Sequence, residues 1–251
     1  MKNLLKISLL VALAAMMSGC VQMHMDTEIK KDGSGTMEMN LSLSPILSEI
    51  IAEGGADDEI ADIGNIMDMN EKDLNEKIKG HDVKIKKFST KVVDGKETLN
   101  VVMEFKDLEG MSYAMSQIQD SSKSEGGMAI MDIGNGQYAL RPYVYNWPVQ
   151  EEVEEEAAAD DMESTENENM DPEKMQKQME NMGKLMGAMG ELEFSMKITV
   201  PGDIITSNAP VTEGRTSIWT INSTNMMTAG SNMEPNIVFS SKGLKMKAIK
   251  E

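Results

Sequence analysis

Nucleophilic catalysis needs a serine, threonine or cysteine held beside a base, yet this 251-residue chain carries only two histidines, His24 and His81, and one cysteine, Cys20. It contains no Gly-x-Ser-x-Gly elbow, no His-Glu-x-x-His helix and no Gly-x-x-x-x-Gly-Lys loop. Its 42 carboxylates are too many for any pair to stand out as acid and base. The expectation is a non-enzymatic protein without a cofactor. Methionine is the unusual residue, present 26 times, and thioethers suit Cu(I). Met23-His24-Met25, Met37-x-Met39 and Met67-x-Met69 are the candidate ligand clusters of a copper-handling reading. On a strand, however, Met23 and Met25 face away from His24, so that trio cannot converge on one ion. Methionine as adaptable core filler is the simpler expectation, and no metal site is assigned.

Cys20 can do a different kind of chemistry. It follows Met1-Lys2-Asn3-Leu4-Leu5-Lys6, then Ile7 to Met17 with Ser8 as the only polar residue, then Ser18-Gly19. A basic start, an eleven-residue apolar stretch and small residues before a cut are the layout of a secretory signal. A membrane span would need roughly 18 or more apolar residues, so this stretch reads as a cleaved address. Met17-Ser18-Gly19-Cys20 resembles the bacterial lipobox, with Met17 standing where that motif usually has Leu or Val. The resemblance implies cleavage before Cys20, diacylglycerol on its sulfur and a further acyl chain on the new amine. Two or more chains anchor a protein stably, at about 0.8 kcal/mol per buried CH₂.

Charge narrows the partners. The net charge is −18, and removal of residues 1–19 with Lys2 and Lys6 leaves 22 basic and 42 acidic residues, or −20. Nucleic acid, which is bound by neutralising phosphates with Lys and Arg, is not expected. An anionic bilayer would repel the body of such a chain, so the lipid must do the anchoring, and a cationic partner suits the field. Val21 after the cysteine lacks the aspartate associated with inner-membrane retention, so the lipoprotein resemblance implies the outer membrane if the host has two membranes.

The elements that could position a site alternate at period two. Val21 to Ile29 and Met37 to Leu43 flank Asp32-Gly33-Ser34-Gly35, a hairpin signal. Ser44-Pro45 then caps a short helix through Ile46, Leu47, Ile50 and Ile51, residues 55–68 carry no assignable pattern, and Asn70 to Lys79 reads as another short helix ending at Gly80. A second hairpin turns at Asp94-Gly95, after which Asp107 caps a helix with Leu108, Met111, Met115 and Ile118 on one face. A third hairpin turns at Gly134-Asn135-Gly136. From Gln150 to Glu173 there are twelve acids and no basic residue, a composition unable to offset its ordering entropy; with no Asp-x-Asp-x-Asp-Gly loop for calcium, it reads as a solvated spacer. Late strands are expected around Leu192 to Val200, Ser217 to Asn222 and Asn236 to Ser240, joining the earlier sheet because they are too few to stand alone. Leu192, Phe194, Met196, Ile198 and Val200 should point into the first hairpin's core.

Between spacer and strands, Met175, Met179, Met182, Met186 and Met189 follow spacings of four and three, one apolar stripe on a helix. The stripe packs on the sheet, or it offers an adaptable surface to a partner helix, peptide or acyl chain. Gly183, Gly187 and Gly190 lower its intrinsic helicity by about 1 kcal/mol each.

Taken with the signal and Cys20, the strand pair joined by Asp32-Gly33-Ser34-Gly35, the run Pro201-Gly202-Asp203-Ile204, then Ser207-Asn208 and Ile218-Trp219-Thr220 resemble the LppM-like lipoprotein domain family. The resemblance does not cover the middle third of the chain. It implies an envelope lipoprotein of α+β fold, without established catalytic residues, for which lipid contact is an expectation. The whole reads as α+β, antiparallel hairpins with short packed helices, in one domain with a disordered acidic insertion. The expected boundaries are 1–19 for the signal, 20–149 for the first part of the domain, 150–172 for the insertion, 173–190 for the Met-rich helix and 191–251 for the completing strands. The expected function is a membrane-anchored, non-enzymatic binding or structural module of the envelope, its partner an envelope protein. The alternatives are a carrier of lipid or another hydrophobic ligand, with the Met-rich helix as lid, and a periplasmic Cu(I)-handling protein.

Overall fold

A computed structural model of the chain describes residues 21–52, 58–118, 126–145, 147, 183, 192–225 and 234–250. The fold is mixed α+β and mostly strand, built on two sheets. Strand β1 (Val21–Ile29) pairs antiparallel with β2 (Gly35–Leu43), as the alternation and the Gly-rich turn predict. Helices α1 (Pro45–Ala52), α2 (Asp58–Asp68) and α3 (Glu71–Lys77) follow, then the hairpin β3 (Val83–Val93) and β4 (Lys96–Phe105). Asp94 and Gly95 both hold positive φ at its turn, at 51° and 80°, the backbone that a two-residue hairpin with right-handed twist requires. Helix α4 (Leu108–Ile118) is capped by Asp107, whose Oδ1 accepts from the Gly110 N–H at 2.9 Å. Ser44 Oγ accepts from Leu47 N at 3.3 Å, so Ser44 and Asp107 cap as the sequence predicts, and Asn70 Oδ1 caps α3 by accepting from Asp73 N at 3.0 Å.

The remaining strands are β5 (Gly126–Gly134), β6 (Gln137–Val144), β7 (Glu193–Thr199), β8 (Ile204–Ser207), β9 (Val211–Glu213), β10 (Thr216–Asn222), β11 (Ile237–Ser240) and β12 (Ile249–Lys250). The first sheet runs β3-β4-β2-β1-β7-β10-β9, the second β12-β5-β6-β11-β8. The late strands thus divide. β7 and β10 join the first sheet, while β11 joins the third hairpin in the second, where the sequence reading expects one shared sheet. Nor is every pairing antiparallel, because β7 lies parallel to β1, with Met25 opposite Met196, and β12 lies parallel to β5. The reason the chain changes sheets after β7 is visible at Pro201-Gly202, which ends the strand; a Cβ on Gly202 would stand 2.1 Å from Ser240 O, so only glycine lets the chain pass β11 there.

One face of the first sheet is buried. Met37, Met39, Leu41 and Leu43 of β2, Leu99, Val101, Met103 and Phe105 of β4, and Met196, Ile198 and Val200 around β7 share a cluster with Leu47, Leu74 and Met111 of the helices and Leu140, Ile237 and Phe239 of the second sheet. Phe194 packs against the cluster and Leu192 is half-buried. The opposite face carries the polar members of each alternation. No helix among the described residues is long and apolar enough to cross a membrane. Residues 1–20, the acidic stretch 150–172 and the Met-rich segment, Gly183 excepted, lie outside the described residues, so the signal, the spacer and the methionine stripe rest on sequence.

Candidate functional site

Because side chains alternate across a strand, register decides which polar residues meet on the open face of the first sheet. Gln22 lies opposite Ser42, Ser42 opposite Thr98, and Thr98 opposite Lys91. The next row joins His24, Asn40, Asn100 and Ser89, and the one after it Asp26, Glu38, Val102 and Lys87. An open polar face is what an antiparallel sheet with one side in water ordinarily shows. Two features here depart from that pattern. A cavity of about 440 Å³ is sunk into the face over β1, β2, β4 and β3, and two of its polar lining residues are nearly inaccessible.

Asn100 is 5% exposed. Its Nδ2 donates to Glu38 Oε1 at 2.8 Å and to Asn40 Oδ1 at 2.6 Å. A carboxylate accepts and cannot donate, so these partners fix which way the amide is turned. That leaves Oδ1 buried without a hydrogen-bond partner, a state that costs about 1–3 kcal/mol. Lys96 is 8% exposed and reaches Gln22 Oε1 with Nζ at a long 3.4 Å. Lys87 and Lys91 stand exposed on the rim, and Ser42 Oγ and Thr98 Oγ1 are paired at 3.1 Å. The cavity therefore offers an unfilled acceptor, a nearly enclosed ammonium and a ring of hydroxyl and amide groups. Beside it Asp26 and Glu38 face each other directly, a repulsive pair offset by Lys197, whose Nζ is 3.3 Å from Asp26 Oδ2, and by the amide donors on Glu38.

The methionines fall on the other side. Met37 and Met39 are buried, Met67 is nearly so, and Met23, Met25 and Met69 pack against the same cluster, whereas His24 is exposed on the open face. The structure thus separates His24 from its neighbouring thioethers and places all six methionines on the core. Among the described residues no group of three or more His, Cys, Asp or Glu side chains is placed to hold a metal ion. Cys20 and Met175, Met179, Met182, Met186 and Met189 lie outside the described residues.

Sequence reasoning missed the cavity residues. The one signal for them was asparagine at mid-strand in β2 and β4, a residue that strands disfavour. It also missed an aromatic cluster that ties α4 to the second sheet. The His81 ring stacks on Tyr113 with centroids 3.4 Å apart, Tyr113 meets Trp147 edge-on at 5.4 Å, and Trp147 stacks on Tyr145 at 5.2 Å. Tyr145 donates its hydroxyl to Met128 O at 2.9 Å. Burial, then the carboxylates of Glu109 and Asp107, push the Tyr145 phenol well above its ordinary range, and burial lowers the His81 imidazole against the opposing pull of Glu109. The rings cover one another's faces, so the cluster reads as packing.

No family model matches the chain, and no curated protein matches it. Among solved structures it is similar to the folded domain of the LppM protein of Mycobacterium tuberculosis, determined by NMR. That match has 10% identity, covers 89% of this chain and 91% of the other, and has a TM-score of 0.41. This is a distant likeness of fold, which assigns neither a ligand nor a site to the present chain.

Proposed function

We propose that the chain is a lipid-anchored module of the bacterial envelope that binds a hydrophilic ligand, without transforming it, in the cavity on the open face of its first sheet. The anchor is read from residues 1–20, whose signal layout ends at the chain's only cysteine. The observation that carries the binding half is the buried, unpartnered Oδ1 of Asn100 in the wall of that cavity, since buried acceptors in folded proteins are ordinarily filled. A ligand hydroxyl or N–H would fill it, and an acidic group on the same ligand would meet Lys96. The finer architecture proposed with it is one domain whose acidic stretch 150–172 is a disordered spacer.

The polar lining favours this reading over a carrier of hydrophobic ligands. The carrier reading depends on the stripe Met175 to Met189 acting as a lid, and it keeps its own test in the lipid content of the purified protein. Native mass spectrometry of the detergent-extracted chain, beside its Lys96→Met variant, tests the proposal. The expected result is a bound hydrophilic species on the parent that the variant lacks, with the two chains equally stable, because exchanging a buried charge for an apolar isostere is often neutral. A species retained unchanged by Lys96→Met, or a co-purified acyl lipid alone, would overturn it.

A further inference from the structure

Two exposed apolar side chains of the first sheet, Val92 and Val93, lie together at one end, apart from the exposed Val211 of β9. Strand β1 begins at Val21, the residue after Cys20, and register carries that end of the sheet across three neighbours. Val21 lies opposite Leu43, Leu43 opposite Glu97, and Glu97 opposite Val92. The Asp94-Gly95 turn therefore closes the end of the sheet from which the chain leaves toward Cys20. There Val92 is 70% exposed and Val93 38%. Ile46, in the first turn of α1 just past Leu43, is 49% exposed, and Ser48 Oγ donates to Glu97 Oε2 at 3.1 Å, which holds α1 beside the start of β4.

Adjacent strand residues point to opposite faces, so Val92 and Val93 make both sides of the hairpin end apolar. Singly exposed valines need no explanation. Three branched apolar side chains at the end that carries the anchor do. Exposed Lys91 precedes Val92, while Lys87, Lys86 and Lys84 follow β3 back toward the other end of the sheet. Among the described residues the carboxylates at this end are Glu49, Asp94, Glu97 and Glu193. Lysines on an edge strand also protect it from pairing with other chains, but that role does not call for two bare valines at the tip.

We propose that this end of the sheet docks on the bilayer, with Val92, Val93 and Ile46 in the headgroup layer and Lys91 reaching its phosphates, so that the sheet stands on the membrane and the Asp32 turn points away from it. The inference rests on the lipid anchor at Cys20. It adds an orientation, because an acyl chain alone tethers without fixing which way the body faces.

The acylated chain has no free thiol, so Val92→Cys and Ile46→Cys each accept one environment-sensitive fluorophore, with Lys31→Cys, at the far end of the β1–β2 hairpin roughly 26 Å away at 3.3 Å per residue, as reference. The full lipidated protein is placed on vesicles of phosphatidylethanolamine and phosphatidylglycerol containing nitroxide-bearing lipid, and its intact mass is read in parallel. Strong quenching and a blue-shifted emission at residues 92 and 46, with neither at 31, is the expected result. Probes at 92 and 46 as wet and unquenched as the one at 31, on a chain whose mass shows acylation, would overturn the docking and leave the anchor standing. Equal quenching at all three sites would overturn it too. An unacylated mass would remove the anchor and the docking together.

Discussion

Asn100 is the residue on which the site turns. Its amide nitrogen serves Glu38 and Asn40 while its oxygen has no partner, so the substitution Asn100→Asp sets a carboxylate against the Glu38 carboxylate at hydrogen-bond range. Like charges this close raise the pKa of one of them. A folded-state pKa above the unfolded value gives stability at low pH that is lost as pH rises through it. The variant should lose on the order of 2 kcal/mol at pH 7 and regain much of it in the carboxylate range, which denaturant titrations at pH 7 and pH 4 would show. His81 behaves in the opposite sense. Its folded pKa lies below the ordinary 6.5 because burial disfavours the cation. The unfolded chain therefore binds the proton first as pH falls, and the stabilisation present above pH 6.5 declines below it. In His81→Phe, which keeps a ring against Tyr113, melting temperatures between pH 7.5 and pH 5.5 should decline less than in the parent. A decline of equal size would remove His81 from the account.

At the scale of elements, local signals were legible where local chemistry decides. Asp107 and Ser44 cap the helices they precede, and Asp94-Gly95 takes the backbone its hairpin needs. Helix α2 was not legible because Gly64 interrupts it and glycine lowers helix propensity by about 1 kcal/mol. The structure supplies the reason for that glycine. A Cβ at Gly64 would stand 2.6 Å from Ile51 Cγ2, so the residue lets α1 and α2 close on each other. Propensity alone predicts that Gly64→Ala stabilises. The packing predicts a loss of about 1–2 kcal/mol from the overfilled contact, and the sign of the shift in denaturation midpoint decides between them. The parallel pairing of β1 with β7 was not legible either, because a strand's own alternation says which face is buried and not which distant strand lies beside it. The cavity shares that cause: Asn100 reads in sequence as one more polar residue in an alternation, and only the register of β4 on β2 brings it to Glu38 and Asn40.

For the whole molecule, charge and anchor work against each other. A body of net charge −20 after removal of residues 1–19 is repelled by anionic lipid, and a screening length of about 8 Å at physiological salt confines that repulsion to whatever lies nearest the bilayer. Having the exposed Lys91 at the end next to Val21 puts a cation where that short range matters. All of this depends on Cys20, and intact-mass measurement of the protein extracted from membranes, beside its Cys20→Ser variant, tests it most directly. The account predicts a chain beginning at Cys20 that carries diacylglycerol and a further acyl chain, and a variant that leaves the membrane fraction. A parent chain with residues 1–19 removed and an unmodified Cys20 thiol would contradict it.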